Sequence, residues 1–97
     1  MRTILKFTVP VEAGNTAIKS GKMAQVTENT LKQLQPEAAY FFANKGRRSG
    51  FMVFDLKDPS DIPSIVEPLF LELNASVDMA PCMNADDLEK ALAKVKV

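Results

Sequence analysis

The stretch from Ala38 to Leu56 constrains this chain more than any other. It runs Ala38, Ala39, Tyr40, Phe41, Phe42, Ala43, then the polar connector Asn44-Lys45-Gly46-Arg47-Arg48-Ser49-Gly50, then Phe51, Met52, Val53, Phe54, Asp55, Leu56. Two aromatic-rich apolar runs around a glycine-containing polar connector specify a β-hairpin. Phe41, Phe42, Phe51, Phe54 and the only tyrosine, Tyr40, all lie within it, so the hairpin is expected to supply much of the core. Its register is open at this point, because a slip of one residue sends Tyr40 to the opposite face. What the hairpin supplies is shape rather than chemistry.

The flanking segments supply the rest of a small α+β domain. Arg2 to Val9 alternates, with Leu5, Phe7 and Val9 on one side and Ile4, Lys6 and Thr8 on the other, as a strand with one strongly apolar face does; Pro10 ends it. Val11 to Ser20 carries a weak signal, since Gly14, Asn15 and Gly21 discourage regular helix and leave room for a short turn only. Past Gly21, residues Met23, Val26, Thr27, Thr30, Leu31 and Leu34 recur at helical spacing, and Pro36 closes that helix. Asp58-Pro59-Ser60-Asp61 has the chemistry of a helix start. Ile62, Ile65, Val66, Leu69, Phe70 and Leu73 then mark a buried stripe, with Pro63 and Pro68 predicting an irregular first turn and a kink. Asn74 suits a left-handed stop. Ser76 to Ala80 gives a short strand with Val77 and Met79 on one face and Ser76, Asp78 and Ala80 on the other. Asn84 and Asp87 cap a last helix carrying Leu88, Ala91, Leu92 and Val95.

Composition excludes more than it assigns. The 97 residues make one expected domain, 1–97, which buries about 60 to 65% of its unfolded surface. A core built on one sheet face leaves the other needing cover, so a partner chain is expected. Lys plus Arg equals Asp plus Glu at 12 each, which favours neither nucleic acid nor an anionic membrane as partner. Histidine is absent and cysteine occurs once, at Cys82. No intrachain disulfide or cysteine-rich metal cluster is therefore open to the chain, and the commonest general base is missing. No cofactor and no metal are expected. The segment Met1 to Lys6 has a charge within its apolar run and no small-residue cleavage pattern, unlike a signal peptide, and no apolar run approaches a membrane span. Cytoplasmic localisation is the resulting expectation.

The element order is β-α-β-β-α-β plus a C-terminal helix, that of the ferredoxin-like fold: a four-stranded antiparallel sheet with helices on one face. With Pro36-Glu37-Ala38-Ala39-Tyr40-Phe41, Phe54-Asp55 and Glu67-Pro68-Leu69-Phe70, the chain resembles the dimeric α+β barrel superfamily, and looks most like small uncharacterised bacterial members of it. The resemblance covers the full length and implies a homodimer in which two sheets face each other across a cavity. Members include isomerases, haem-degrading enzymes and cofactor-independent monooxygenases. Histidine often serves in their sites and this chain has none, so those activities do not carry over residue by residue.

Several motifs are weighed and set aside. Gly14 to Lys22 approaches a phosphate-binding loop, but six residues rather than four separate its glycines and Met23 replaces the magnesium-binding hydroxyl. Asn74-Ala75-Ser76 matches a glycosylation sequon yet reads as a helix stop leading into a strand. Cys82 lacks an activating histidine and reads as a small buried or half-buried apolar residue. Lys45, Arg47 and Arg48 offer donors for an anion, with a solvated turn as the plainer reading.

Strand faces give the remaining site candidates. With Leu5, Phe7, Val9, Val77 and Met79 under the helices, Lys6, Thr8, Ser76 and Asp78 project from the opposite face, where the fold makes first and last strands neighbours. Lys6 and Asp78 are expected to meet there as an ion pair. Met52, Phe54 and Leu56 are expected to face the helices, and Phe51, Val53 and Asp55 the other side. The ligand-binding candidates are Lys6, Tyr40, Asp55 and Asp78, with Arg47 and Arg48 for an anion. Two functional expectations follow: a small organic ligand held between the sheets, or a cofactor-independent enzyme using cavity Lys, Asp or Tyr groups. A structural or regulatory dimer without ligand is the third.

Overall fold

The computed structural model describes residues 1–97. Four strands, β1 (Arg2–Val9), β2 (Ala38–Asn44), β3 (Arg47–Asp55) and β4 (Ser76–Pro81), form one antiparallel sheet in the order β2-β3-β1-β4. Four helices accompany them: α1 (Val11–Ser20), α2 (Lys22–Leu34), α3 (Ile62–Leu73) and α4 (Ala85–Ala93). This is an α+β fold with an open sheet, compatible with a ferredoxin-like arrangement. None of the helices is long and apolar enough to cross a membrane.

The first strand does what its alternation dictates. Thr3, Leu5, Phe7 and Val9 are buried, while Arg2, Ile4, Lys6 and Thr8 project from the other face. Leu5 pairs with Met52 and Met79, and Phe7 with Gly50 and Val77, so these side chains share the face on which α1 to α3 pack. Val26 and Leu34 of α2 and Ile65, Val66, Leu69 and Leu73 of α3 close that core. Asn74 takes a left-handed conformation at φ 54° and ends α3, its backbone N–H donating to the Phe70 carbonyl. The Asn84–Asp87 capping box opens α4, each side chain accepting from the other residue's backbone N–H.

Four expectations are corrected. Val11–Ser20 is a ten-residue helix rather than a short turn. Gly14 is buried in it beneath the Arg48 side chain and beside Val9, and a Cβ there would require the Arg48 guanidinium to move aside. Gly21, at φ 81°, ends α1 and begins α2, a conformation glycine adopts without a Cβ penalty. The connector of the hairpin is only Lys45 and Gly46, both at positive φ as a two-residue type I′ turn requires. The polarity of Asn44 to Gly50 suggests a connector throughout, but Arg47 onward continues the ladder, pairing with β2 and β1. The hairpin buries Met52 and Phe54, whereas Tyr40, Phe41 and Phe42 are 62%, 50% and 40% exposed. β2 is an edge strand, and the helices leave a groove along it. Phe70, read into the buried stripe of α3, is also exposed, one position round the helix from the inward-facing Leu69.

The start of α3 is irregular, as the prolines predict. Pro59–Asp61 forms a 3-10 turn capped by Asp58, whose Oδ1 accepts from the Ser60 backbone N–H at 2.8 Å and the Ser60 hydroxyl at 2.7 Å. Those bonds lower the Asp58 pKa.

Candidate functional site

The helix-free face carries one row of side chains that crosses all four strands. Tyr40 pairs with Phe51, Phe51 with Lys6, and Lys6 with Asp78. Paired residues point to the same side, so the row reads aromatic, aromatic, cation, carboxylate over about 14 Å of neighbouring strands. The register that decides this also settles the face of Tyr40. Ring centroids of Tyr40 and Phe51 lie 5.5 Å apart, and Phe42 meets Phe51 edge-on at 6.3 Å.

The flanking rows differ in character. On one side Phe42, Ser49, Thr8 and Ser76 line up, with the Ser49 hydroxyl donating to Thr8 Oγ1 at 3.3 Å. On the other side Ala38, Val53, Ile4 and Ala80 make an apolar row. A molecule laid on this face would meet π-surface at one end, a cation and a carboxylate at the other, and hydroxyls along one edge. Lys6 and Asp78 stand opposite each other, both exposed, but the expected ion pair is not formed in the single chain. Flanking exposure to water explains this, since an exposed pair gains little from holding two side chains together.

Asp55 shares the face but not the row. It sits four residues along β3 from Phe51, about 13 Å away, opposite Arg2. Its carboxylate accepts from Lys57 Nζ at 2.7 Å and from the Met1 amino group at 2.6 Å. The Lys57 hydrogen bond first, and the amino group second, push its pKa down to about 2. Lys57 is raised in turn by the same bond. Asp55 is thus occupied as a clasp at the end of the sheet.

Arg47 and Arg48 are brought to opposite sides. They are consecutive in β3, so Arg47 faces the helix-free side, while Arg48 lies over Gly14 and donates to Asn15 Oδ1 at 3.2 Å. The two forks cannot share one anion. Cys82 is half-buried and free, its backbone N–H donating to the Arg2 carbonyl. No group of three or more acidic or cysteine side chains converges as metal ligands would.

Arg2 is the residue that sequence reasoning passed over. Its guanidinium donates to Glu37 just before β2 and to Asp87 Oδ2 of α4 at 2.9 Å. The Glu37 hydrogen bond, ahead of the pull of Asp87, raises its pKa above the already high arginine value. The partners lie 35 and 85 positions away, so no local spacing points to them.

A concavity lies along the outer edge of the sheet, chiefly on its helix side, with Phe42 and Ser49 of the other face at its rim. A groove of about 360 Å³ runs between β2 and α2, bounded by Phe7, Met23, Thr27, Phe41 and Arg48. Phe7 and Phe41 come together at 6.4 Å between centroids over Gly50, which pairs with both. No protein-family model matches the chain, and no curated protein compared with it matches.

Proposed function

We propose that the chain is a ferredoxin-like subunit of a dimeric α+β barrel, whose two helix-free sheet faces enclose a small organic ligand. The row Tyr40–Phe51–Lys6–Asp78 carries this reading. An antiparallel sheet with one face in water ordinarily alternates apolar and polar residues cleanly. Here the uncovered face holds Ile4, Tyr40, Phe42, Phe51 and Val53 around a few polar groups. Apolar walls with a small number of placed polar groups are the usual composition of a small-molecule site. In the closed dimer Tyr40 and Phe51 give the ligand an apolar bed, and Lys6 with Asp78 fixes its polar end.

Native mass spectrometry of the protein as purified tests this, reading subunit number and any retained small molecule together. The expected result is a two-chain species that loses its ligand when Lys6→Met and Asp78→Leu are combined, with the fold intact by circular dichroism. Each single replacement strands one charge under the partner and is expected to be less stable than the double one. A double variant that keeps the ligand would remove the row from the site.

A further inference from the structure

The two outer strands of the sheet differ in how they present their free edges. β4 carries Asp78 within it and ends at Pro81, and charge and proline are the usual devices that discourage further pairing at a sheet edge. β2 has neither. Ala38 to Asn44 contains no charged residue, no proline and no glycine, its outer side meets no strand, and Tyr40, Phe41 and Phe42 are all exposed along it.

The turn fixes which backbone groups of β2 are free. A two-residue turn at Lys45–Gly46 makes Asn44 and Arg47 a hydrogen-bonded pair, and hydrogen-bonded and non-hydrogen-bonded pairs alternate along an antiparallel ladder. Asn44, Phe42 and Tyr40 therefore turn their N–H and C=O groups toward β3, while Ala43, Phe41 and Ala39 turn theirs outward. The open edge thus offers a regular row of donors and acceptors centred on Phe41.

The side chains around Phe41 follow the same order in both directions. From Ala39 to Ala43 they are Ala, Tyr, Phe, Phe, Ala, so an antiparallel copy laid along this edge about a two-fold axis at Phe41 sets like against like. Phe41 then stands opposite its own counterpart on the helix side, Tyr40 opposite Phe42 on the helix-free side, and Ala39 opposite Ala43, with about six backbone hydrogen bonds between the chains. One step further out, Glu37 comes opposite Lys45, an exposed cation with no ion pair in its own chain. A register moved by two residues puts Phe41 against an alanine and separates those charges. We infer that β2 pairs edge to edge with β2 of a second copy in this register, joining the two sheets into one. The contact uses the edge of the strand and is separate from the face-to-face pairing proposed above. Being one strand wide, it belongs to the small and weak end of protein interfaces.

Two measurements on the full chain test the edge. In the first, C82S/F41C and C82S/A39C are oxidised side by side at about 0.5 mM, a concentration suited to a small contact. Paired Cα atoms at the axis stand about 5.5 Å apart, within the range a disulfide spans, whereas the two Ala39 positions lie about 14 Å apart. A disulfide-linked pair of chains is expected from C82S/F41C and not from C82S/A39C. In the second, sedimentation equilibrium followed from about 10 µM to about 0.5 mM is expected to show the wild-type mass rising with concentration. Ala43→Pro removes an outward N–H without touching a bond to β3, and Phe41→Lys brings two like charges together at the axis. Each variant, its fold checked by circular dichroism, is expected to weaken this association about tenfold or more. Equal disulfide yields from the two cysteine variants, no rise in wild-type mass, or a rise that both substitutions leave unchanged overturns the edge pairing. None of these results touches the face-to-face reading, in which Phe41 points away from the partner. That reading fails instead if the protein is a single chain at micromolar concentration while the C82S/F41C disulfide still forms.

Discussion

The two faces of the sheet come from the same strands and meet opposite fates. On the helix side Leu5, Met52, Leu69 and Leu73 are sealed almost completely from water. On the other side Ile4, Phe51 and Val53 are half-buried by their neighbours alone, and Tyr40 stands mostly in water. Both faces are rich in apolar groups, yet only one is covered by the chain's own helices. Apolar alternation therefore tells which residues need cover without telling whether the cover belongs to the same chain. Burying a large apolar side chain stabilises by about 1.5 to 3 kcal/mol, a substantial share of the roughly 5 to 15 kcal/mol that holds a domain folded.

The largest expected effect separates the faces directly. Leu5→Ala opens a cavity beside Met52 and should cost about 2 to 5 kcal/mol, the same at low and high protein concentration when followed by urea unfolding. Phe51→Ala should cost little in dilute solution and progressively more relative to wild type as concentration rises, because it removes surface that a second copy would cover in the proposed dimer. Equal concentration dependence for the two variants would erase the distinction between the faces.

A smaller effect is expected at Gly50, on the helix side. A Cβ there would come within 2.8 Å of both the Phe7 and Phe41 rings. Gly50→Ala should destabilise by about 1 to 3 kcal/mol, and pairing it with Phe41→Leu should recover part of that loss. Thermal unfolding of the two variants reads the difference, and an unaltered midpoint for Gly50→Ala would mean the rings do not close over the strand.

Much of this arrangement is legible in the residues, and the rest fails for identifiable reasons. Period-two alternation places Ile4 to Val9 of β1, Phe51 to Asp55 of β3 and Ser76 to Ala80 of β4 on their observed faces, because the helices cover one side of the sheet, whereas the polarity of Arg47 to Gly50 disguises the start of β3 as a connector. Asn74 and the Asn84–Asp87 box mark helix ends through local chemistry alone. α1 is hidden because Gly14 weakens a helix in isolation, whereas the packing of Gly14 and Ala17 against the rest of the domain, which holds the helix, exists only in the folded chain. The exposure of β2 is hidden because an edge strand and a central strand can be written in the same aromatic residues. In the candidate site, the Lys6–Asp78 juxtaposition follows from strand order, whereas the place of Tyr40 needs the two-residue turn at Lys45–Gly46 to set the register. Arg2 depends on partners brought in from distant parts of the chain.

The smallest expected effect lies at the end of the sheet. Asp55 has a folded pKa depressed to about 2, below the ordinary aspartate value near 3.9. Its contribution to stability is thus fully present above pH 4 and is lost as pH falls from about 4 through 2. Asp55→Asn should flatten the acid limb of the stability profile over that window, lowering the neutral plateau slightly and leaving stability at the acid end unchanged. An unchanged acid limb would mean that the Lys57 and amino-terminal bonds do not hold in solution.

Whether a second copy of this chain covers the helix-free face is read by sedimentation equilibrium at micromolar concentration. A species of twice the 10.7 kDa chain mass is expected, converted toward single chains by Phe51→Asp. A well-folded wild-type species at 10.7 kDa under the same conditions would contradict it.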